Sequence, residues 1–126
     1  MPSVLNVDTL TNAAGTGPVT LTKQEAAKAW VRFNASSGTP TANDSLNFSS
    51  FTDHAVGNHT ISFSSSFGNA NYAFLTGASV VGTDARVAYN TNDAPATGSF
   101  RIGTVNSSFS VTDATHSSAG FIGDLA

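Results

Sequence analysis

The chain has 126 residues, of which 40% are hydrophobic and only 10% are charged, and its formal net charge is -3. This length suits one domain with one core, and five Lys and Arg residues are too few for a surface that binds nucleic acid or an anionic membrane. The chain contains no cysteine, which excludes disulfides and thiol chemistry and is typical of folding in a reducing cytoplasm.

The first 27 residues differ from the rest of the chain. Met1 to Leu10 lacks the positive n-region and the apolar h-region of a signal peptide, and no run approaches the ~18 apolar residues of a spanning helix. We therefore expect a protein that is neither exported nor inserted in a membrane. Thr22 and Glu25 have the spacing of a capping box before good helix formers, which predicts one or two helical turns. The chain is accordingly divided into an N-terminal attachment arm with a short helix, 1–27, and a β body, 28–126.

After the arm, short apolar runs are separated by the turn-forming residues Gly, Asn, Asp, Ser and Pro. This pattern predicts β-strands joined by tight connections. Apolar residues alternate with other residues in 29–34, 59–63 and 86–89, so that each of these strands has one apolar face. In Leu46 to Phe51 the last aromatic falls out of phase, which predicts a β-bulge or a strand end near Ser49. Further strands are predicted at 72–81, 100–105, 109–112 and 120–125.

Seven or eight short strands at intervals of about ten residues are typical of an antiparallel sandwich or small barrel. A parallel sheet would need crossover helices, and the sequence predicts at most one short helix. The predicted fold class is therefore all-β: an antiparallel, jelly-roll-like β-sandwich knob with an extended N-terminal arm.

The histidines give no catalytic motif. A Ser-His-Asp combination is available only because serine is abundant, and no Gly-x-Ser-x-Gly elbow accompanies it. His54 and His59, with Asp53 nearby, would bind a metal only if both imidazoles lay on one side of a tight turn. Two histidines that flank a turn are more often structural, solvated residues.

The acidic residues give no catalytic or calcium motif either. Asp84 and Asp93, with Asn90 and Asn92, offer oxygen ligands for calcium, but no twelve-residue loop organises them. Asn and Asp are common turn residues because their side chains bond to the nearby backbone. Paired carboxylates for glycoside hydrolysis would have to come from aspartates scattered among turns. We expect no enzyme activity, no catalytic residue, no bound metal and no cofactor.

Aromatic residues offer two roles. Trp30, Tyr72 and Tyr89 can stack on a sugar face, although core packing is the commoner role of such side chains, and the nine Phe residues are expected to fill the core. Tyr89 is the best candidate for sugar stacking because a polar loop follows it. The candidate glycan-contact residues are Tyr89, Asn90, Asn92 and Asp93.

Six segments together resemble small trimeric tail-fibre and knob modules of tailed bacteriophages, and the similarity covers most of the chain. They are LNVDTL at 5–10, NAAGTG at 12–17, KAWVRFN at 28–34, DSLNFSSFTD at 44–53, GNHTISF at 57–63 and NANYAF at 69–74. The resemblance implies that the third segment opens the β body, that the fourth and fifth form a hairpin, and that the sixth begins a central strand.

The resemblance also implies a homotrimeric spike or fibre knob of the virion, assembled in the host cytoplasm and bound to phage capsid or tail proteins. Its arm, with Leu5, Val7 and Leu10, would attach it to the particle, and its loops would recognise a host-surface glycan. A Ser/Thr/Asn-rich exterior suits hydrogen bonding to glycans, and trimerisation would bury apolar area that a small monomer exposes. The alternatives are a capsid decoration (cement) protein or head fibre that stabilises the phage head and, from another class, a glycan-cleaving enzyme.

Overall fold

The computed structural model describes residues 26–82, 84–91 and 93–126. These ranges contain no helix of the length and apolarity that a membrane span requires. Their regular elements are eight strands: β1 (Ala29–Asn34), β2 (Thr41–Leu46), β3 (Phe48–Ala55), β4 (Asn58–Phe63), β5 (Ala73–Ser79), β6 (Arg86–Asn90), β7 (Ser99–Asn106) and β8 (His116–Ile122).

The strands form two antiparallel sheets of four strands each. The first sheet has the order β2-β1-β8-β5 and the second the order β3-β4-β7-β6. Neighbours in sequence form the hairpins β1–β2, β3–β4 and β6–β7, whereas β8 lies between β1 and β5. The predicted all-β sandwich is confirmed. The hairpin implied for 44–53 and 57–63 is present as β3–β4 from Phe48 onward, whereas 44–46 belong to β2 and pair with β1.

The core lies between the two sheets, and period-two alternation explains how it forms. Ala29, Val31 and Phe33 of β1 are buried, as predicted, while Trp30 and Arg32 point to the other face of the sheet. Aromatic rings occupy the centre, where each favourable pair adds about 0.5–1.5 kcal/mol beyond its area burial. The Phe121 ring has its centroid 4.9 Å from that of Phe63, 5.1 Å from that of Phe100 and 5.7 Å from that of Tyr72.

Tyr72 joins this core to a connection between strands. Its hydroxyl lies 3.0 Å from the carbonyl oxygen of Ala96 and 3.1 Å from that of Ser99, and it donates to this pair of acceptors. Burial raises the pKa of Tyr72 to about 12, because the interior disfavours a phenolate. The strand that follows, β5, is at the edge of the first sheet, so the implied central position of the strand begun by 69–74 is wrong.

The expected irregularity near Ser49 is present as a β-bulge. The register of the β3–β4 pairing shifts between Phe48 and Ser50. Immediately before it, Asn47 has φ 53°, a left-handed conformation that asparagine tolerates, and this residue separates β2 from β3. The bulge and the turn bring Phe48 and Phe51 against the core, as the phase change of the aromatics indicates.

Three other elements differ from prediction. Strand β2 was not predicted, because it is an edge strand of mostly exposed polar residues with no alternating pattern. Residues 109–112 form a single bridge, Val105 to Val111, rather than a strand. The last strand begins at His116 and ends at Ile122, earlier than predicted, because it pairs along both β1 and β5.

The boundary between arm and body lies at the edge of the described residues. Residues 26–28 are not helical, and the amide of Lys28 donates a 2.8 Å hydrogen bond to the carbonyl oxygen of Phe121 just before β1 begins. The remainder of the predicted helix, including Thr22 and Glu25, lies outside the described residues. The attachment residues Leu5, Val7 and Leu10 also lie outside them.

Candidate functional site

The outer face of the second sheet carries an exposed aromatic residue, Tyr89. Val87 is 48% exposed and Tyr89 38% exposed, whereas Ala88 packs against the core. The apolar face that alternation gives to β6, with Val87 and Tyr89, therefore lies outward, so core packing, the commoner of the two roles considered for Tyr89, does not apply. β6 is an edge strand with only one neighbour, so the small side chain of Ala88 is sufficient to cover the core on its inner face. The larger side chains of Val87 and Tyr89 face outward.

The Tyr89 ring rests on a glycine of the neighbouring strand. Tyr89 pairs with Gly103 of β7, and a Cβ atom on Gly103 would lie 2.6 Å from Cζ, 2.8 Å from Cε1 and 2.9 Å from the hydroxyl oxygen of Tyr89. No larger residue fits beneath the ring in this position, since real Cβ contacts are longer. A glycine inside a strand often marks such a close approach, and here it sets the position of the ring.

Arg101, two residues before Gly103 on the same face of β7, is held on two sides. Its Nε donates a 2.8 Å hydrogen bond to Oδ1 of Asn58, and its Nη1 donates to a carboxylate oxygen of Asp93. The Arg101 side chain is 27% exposed and that of Asp93 57% exposed. Charge-assisted hydrogen bonds to a planar guanidinium fix its orientation as well as its position.

These side chains line one depression of about 330 Å³, formed by Asn58, Tyr89, Thr91, Asp93 and Arg101. The hydroxyl of Thr91 is buried and has no hydrogen-bond partner among the described residues. Among its described lining residues the depression combines one aromatic ring with fixed donors and acceptors, and the cation Arg101 is paired with the anion Asp93. Such a surface suits an uncharged ligand with several hydroxyl groups and an apolar ring face.

The predicted glycan-contact residues fall in different places. Tyr89 and Asp93 line the depression, whereas Asn90 lies behind it and donates from Nδ2 to the carbonyl oxygen of Arg101 at 3.3 Å. Asn92 lies outside the described residues. Sequence analysis missed Asn58, Thr91 and Arg101, although the polar phase of the alternation in 100–105 is the signal that places Arg101 on an outer face.

A second polar cluster, the buried cluster, surrounds the buried imidazole of His59, which is 1% exposed. Its Nδ1 lies 3.2 Å from a carboxylate oxygen of Asp53, and its Nε2 lies 3.4 Å from one of Asp113. Both distances are short enough for polar contact, although neither contact has the angles of a hydrogen bond. Oδ1 of Asp113 also accepts a 2.7 Å hydrogen bond from the amide of Gly57.

The buried cluster has a structural role. The imidazole is enclosed, so a substrate cannot reach either nitrogen, and the two carboxylates contact opposite sides of the ring instead of converging on one point. In 26–82, 84–91 and 93–126 no three acidic or histidine side chains are placed to hold a metal ion. His54, the other histidine of the hypothetical metal site, is exposed, and its Nε2 lies 2.9 Å from Oγ1 of Thr60.

The aspartates considered for calcium are paired with arginines. A carboxylate oxygen of Asp84 lies 3.5 Å from Nη1 of Arg86, and Asp93 contacts Arg101. Each carboxylate therefore has a cation beside it, which disfavours a second cation at the same oxygen. This pairing agrees with a loop role for these residues.

Comparisons of the chain with protein-family models, with curated proteins and with solved structures give no match.

Proposed function

We propose that the protein is a bacteriophage virion protein, a homotrimeric spike or fibre knob that recognises a host-surface glycan through the depression around Tyr89 and Arg101. The observation that carries the glycan proposal is the exposed Tyr89 ring seated on Gly103 beside the Arg101–Asp93 pair. The virion assignment, with its attachment through Leu5, Val7 and Leu10, is supported by the resemblance of the six sequence segments.

The chemistry of the depression favours a neutral sugar. An aromatic ring binds the apolar C–H face of a pyranose, and the hydroxyls around the ring need both donors and acceptors at fixed positions. Arg101 and Asn58 provide donors, while the carboxylate of Asp93 provides acceptors. Because Arg101 already holds Asn58 and Asp93 in place, binding requires little ordering of these side chains, which limits the loss of conformational entropy.

Replacing Arg101 tests the proposal. Arg101→Gln removes the guanidinium and leaves Asp93 and Asn58 without their partner, so we expect glycan affinity to fall roughly 10- to 100-fold, since a hydrogen bond to a charged group contributes about 1.5–3 kcal/mol. Affinity is measured by glycan-array binding followed by calorimetry with the best ligand.

The matched control is Arg32→Gln. Arg32 is an exposed arginine on the outer face of the opposite sheet, and its replacement is expected to leave glycan affinity unchanged. Equal loss of affinity in both variants, or no glycan binding by the wild-type chain, would contradict the proposal.

Two glycine-to-alanine variants test whether the position of the Tyr89 ring matters, without removing any side chain of the depression. Gly103→Ala places a Cβ atom 2.6 Å from the Tyr89 ring, so the ring must rotate away, and we expect glycan affinity to fall about tenfold. Gly68 is exposed, and the nearest atom to an added Cβ there would be the carbonyl oxygen of Asp124 at an ordinary 3.6 Å, so Gly68→Ala is expected to bind normally. Unchanged affinity of Gly103→Ala would mean that the ring position does not matter for binding.

An apolar row on the outer face of the first sheet supports assembly. Leu46, Trp30 and Leu75 lie in register across the sheet, with Gly120 between the last two, and Leu46 and Leu75 are 48% and 64% exposed. Exposed apolar surface of this kind is common at protein contacts, and we assign it to contacts between protomers. Ultracentrifugation of the full chain measures the oligomeric state. If the chain sedimented as a monomer, the proposed homotrimer would be wrong.

The same apolar row favours a second candidate function, a capsid decoration protein or head fibre. In that case the row would contact the phage head, and the protein would stabilise it. Head integrity and host adsorption, measured on particles with and without the protein, separate the two functions. Lost adsorption with intact heads supports the knob, while fragile heads with normal adsorption support the decoration protein. We propose no catalytic role.

A further inference from the structure

A second depression adjoins the first one on the other side of the Tyr89 ring. It has a volume of about 360 Å³ and is lined by Val87, Tyr89, Val105 and Phe109. The pair Val87 and Val105 is the next pair after Tyr89 and Gly103 on the same face of the β6–β7 hairpin. The two depressions therefore follow the strand direction, and the four steps from Val87 to Thr91 extend over about 13 Å at the usual rise per residue.

Phe109 forms the outer wall of this second depression, and its backbone is held in a left-handed conformation. Its side chain is 82% exposed and its φ is 59°, a left-handed conformation that costs about 1–2 kcal/mol for a non-glycine residue. The Asn106 side chain holds the loop by accepting hydrogen bonds from the amides of Ser108 at 2.9 Å and Ser110 at 3.0 Å. The amide of Phe109 itself donates to the carbonyl oxygen of Asn106 at 3.0 Å.

The chemistry of the second depression differs from that of the first. Its lining is aliphatic and aromatic, and the Tyr89 hydroxyl is the polar side-chain group among its lining residues. A sugar hydroxyl placed against Val87, Val105 and Phe109 would lose its hydrogen bonds to water without replacement, which is unfavourable. A methyl group in the same place would be favourably removed from water.

We propose that the two depressions form one extended glycan site, in which the second depression binds a methyl-bearing substituent, an acetamido or a 6-deoxy methyl group, of the sugar next to the one bound at Arg101. This inference rests on the proposed function and specifies its ligand as a neutral oligosaccharide of at least two units. The occupant follows from continuity, because one ring, Tyr89, lines both depressions.

The test uses an array of matched glycans that differ only in the substituent. N,N′-Diacetylchitobiose carries an acetamido group wherever cellobiose carries the 2-hydroxyl, and paired glycosides of L-rhamnose and L-mannose, or of L-fucose and L-galactose, differ in the 6-deoxy methyl. The array also carries longer oligosaccharides built as such pairs. For the wild-type chain we expect the methyl-bearing member of the bound pairs to bind at least about tenfold more tightly, and the pair that discriminates identifies the substituent.

The variant Phe109→Ser removes the wall and is expected to bring this affinity ratio close to one. The control Val81→Ser replaces a 79% exposed apolar side chain that lines neither depression, and it is expected to keep the wild-type ratio. Glycan binding with no preference for methyl-bearing members overturns this inference and leaves the proposed function standing. No glycan binding at all overturns both. A change of oligomeric state in Phe109→Ser would show that the patch is a contact between copies of the chain, which also overturns the inference.

Discussion

Replacement of His59 by alanine is expected to lower the free energy of unfolding by about 4 kcal/mol. The side chain is 1% exposed and packs edge-on against Phe33, with 6.2 Å between ring centroids. Its loss leaves a cavity in the core and removes the partner of Asp113, which is only 15% exposed. Removing a buried aromatic side chain costs about 3–5 kcal/mol, and leaving a half-buried carboxylate without its polar neighbour adds to this loss.

His54→Ala is the matched control for this prediction. His54 lies on the same strand, β3, as Asp53 but is exposed, with one hydrogen bond to Thr60, so its replacement is expected to cost less than about 1 kcal/mol. Denaturant unfolding followed by Trp30 fluorescence measures both variants at one protein concentration, since subunit association would make stability concentration-dependent. Equal destabilisation by the two substitutions would show that the buried imidazole has no special role.

Replacement of Gly57 by alanine is the second large effect that we expect, a loss of about 3 kcal/mol or more. Gly57 has φ 63°, and an added Cβ would lie 2.7 Å from the carbonyl oxygens of both Thr104 and Thr112. The left-handed conformation costs about 1–2 kcal/mol for alanine, and overpacking adds about 1–3 kcal/mol. Because the obstructing atoms belong to the backbone, the neighbouring strand itself must move.

Gly38 provides the control for the conformational part of this cost. It also has a positive φ, 91°, but nothing lies within 4 Å of an added Cβ. Gly38→Ala is therefore expected to lose only about 1–2 kcal/mol, and the difference between the two variants in denaturant unfolding measures the close approach at Gly57. If both variants were equally stable, the contact with Thr104 and Thr112 would not be tight in solution.

The two predictions concern one junction that positions the candidate site. Gly57 and His59 flank Asn58, whose Oδ1 accepts from Arg101, and Asp113 contacts both flanking residues. The β3–β4 turn is thereby fastened to the connection before β8. We infer that the junction keeps Asn58 facing the depression, so a loosened junction is expected to weaken the restraint on Arg101.

The regular part of the fold could be predicted because it depends on local patterns. Alternation in β1 and β4 identifies both the strands and their buried faces, since a strand must turn every second side chain to the same side. The aromatic that falls out of phase at Phe51 likewise indicates the bulge at Ser49. The polar edge strand β2 carries no such pattern, because its side chains are mostly exposed on both faces.

The candidate site could be predicted only in part. Tyr89 and Asp93 are close in sequence, and the polar loop after Tyr89 pointed to both. Arg101 and Asn58 join them because the strands pair. Arg101 is 8 residues from its partner Asp93 and 43 residues from its partner Asn58. The exposure of Phe109 was missed for a related reason, because it depends on the left-handed turn around Asn106 and not on hydrophobicity.

An all-β, cysteine-free chain of short antiparallel strands follows from the sequence, because composition and alternation are properties of single segments. Three features depend on how the strands pack: the face of β6 that meets solvent, the position of the carboxylates beside His59, and the set of polar residues around Tyr89. Alternation divides a strand into two faces but does not say which one meets the opposite sheet. That choice depends on the order of strands in the sheets, which brings together residues far apart in the chain.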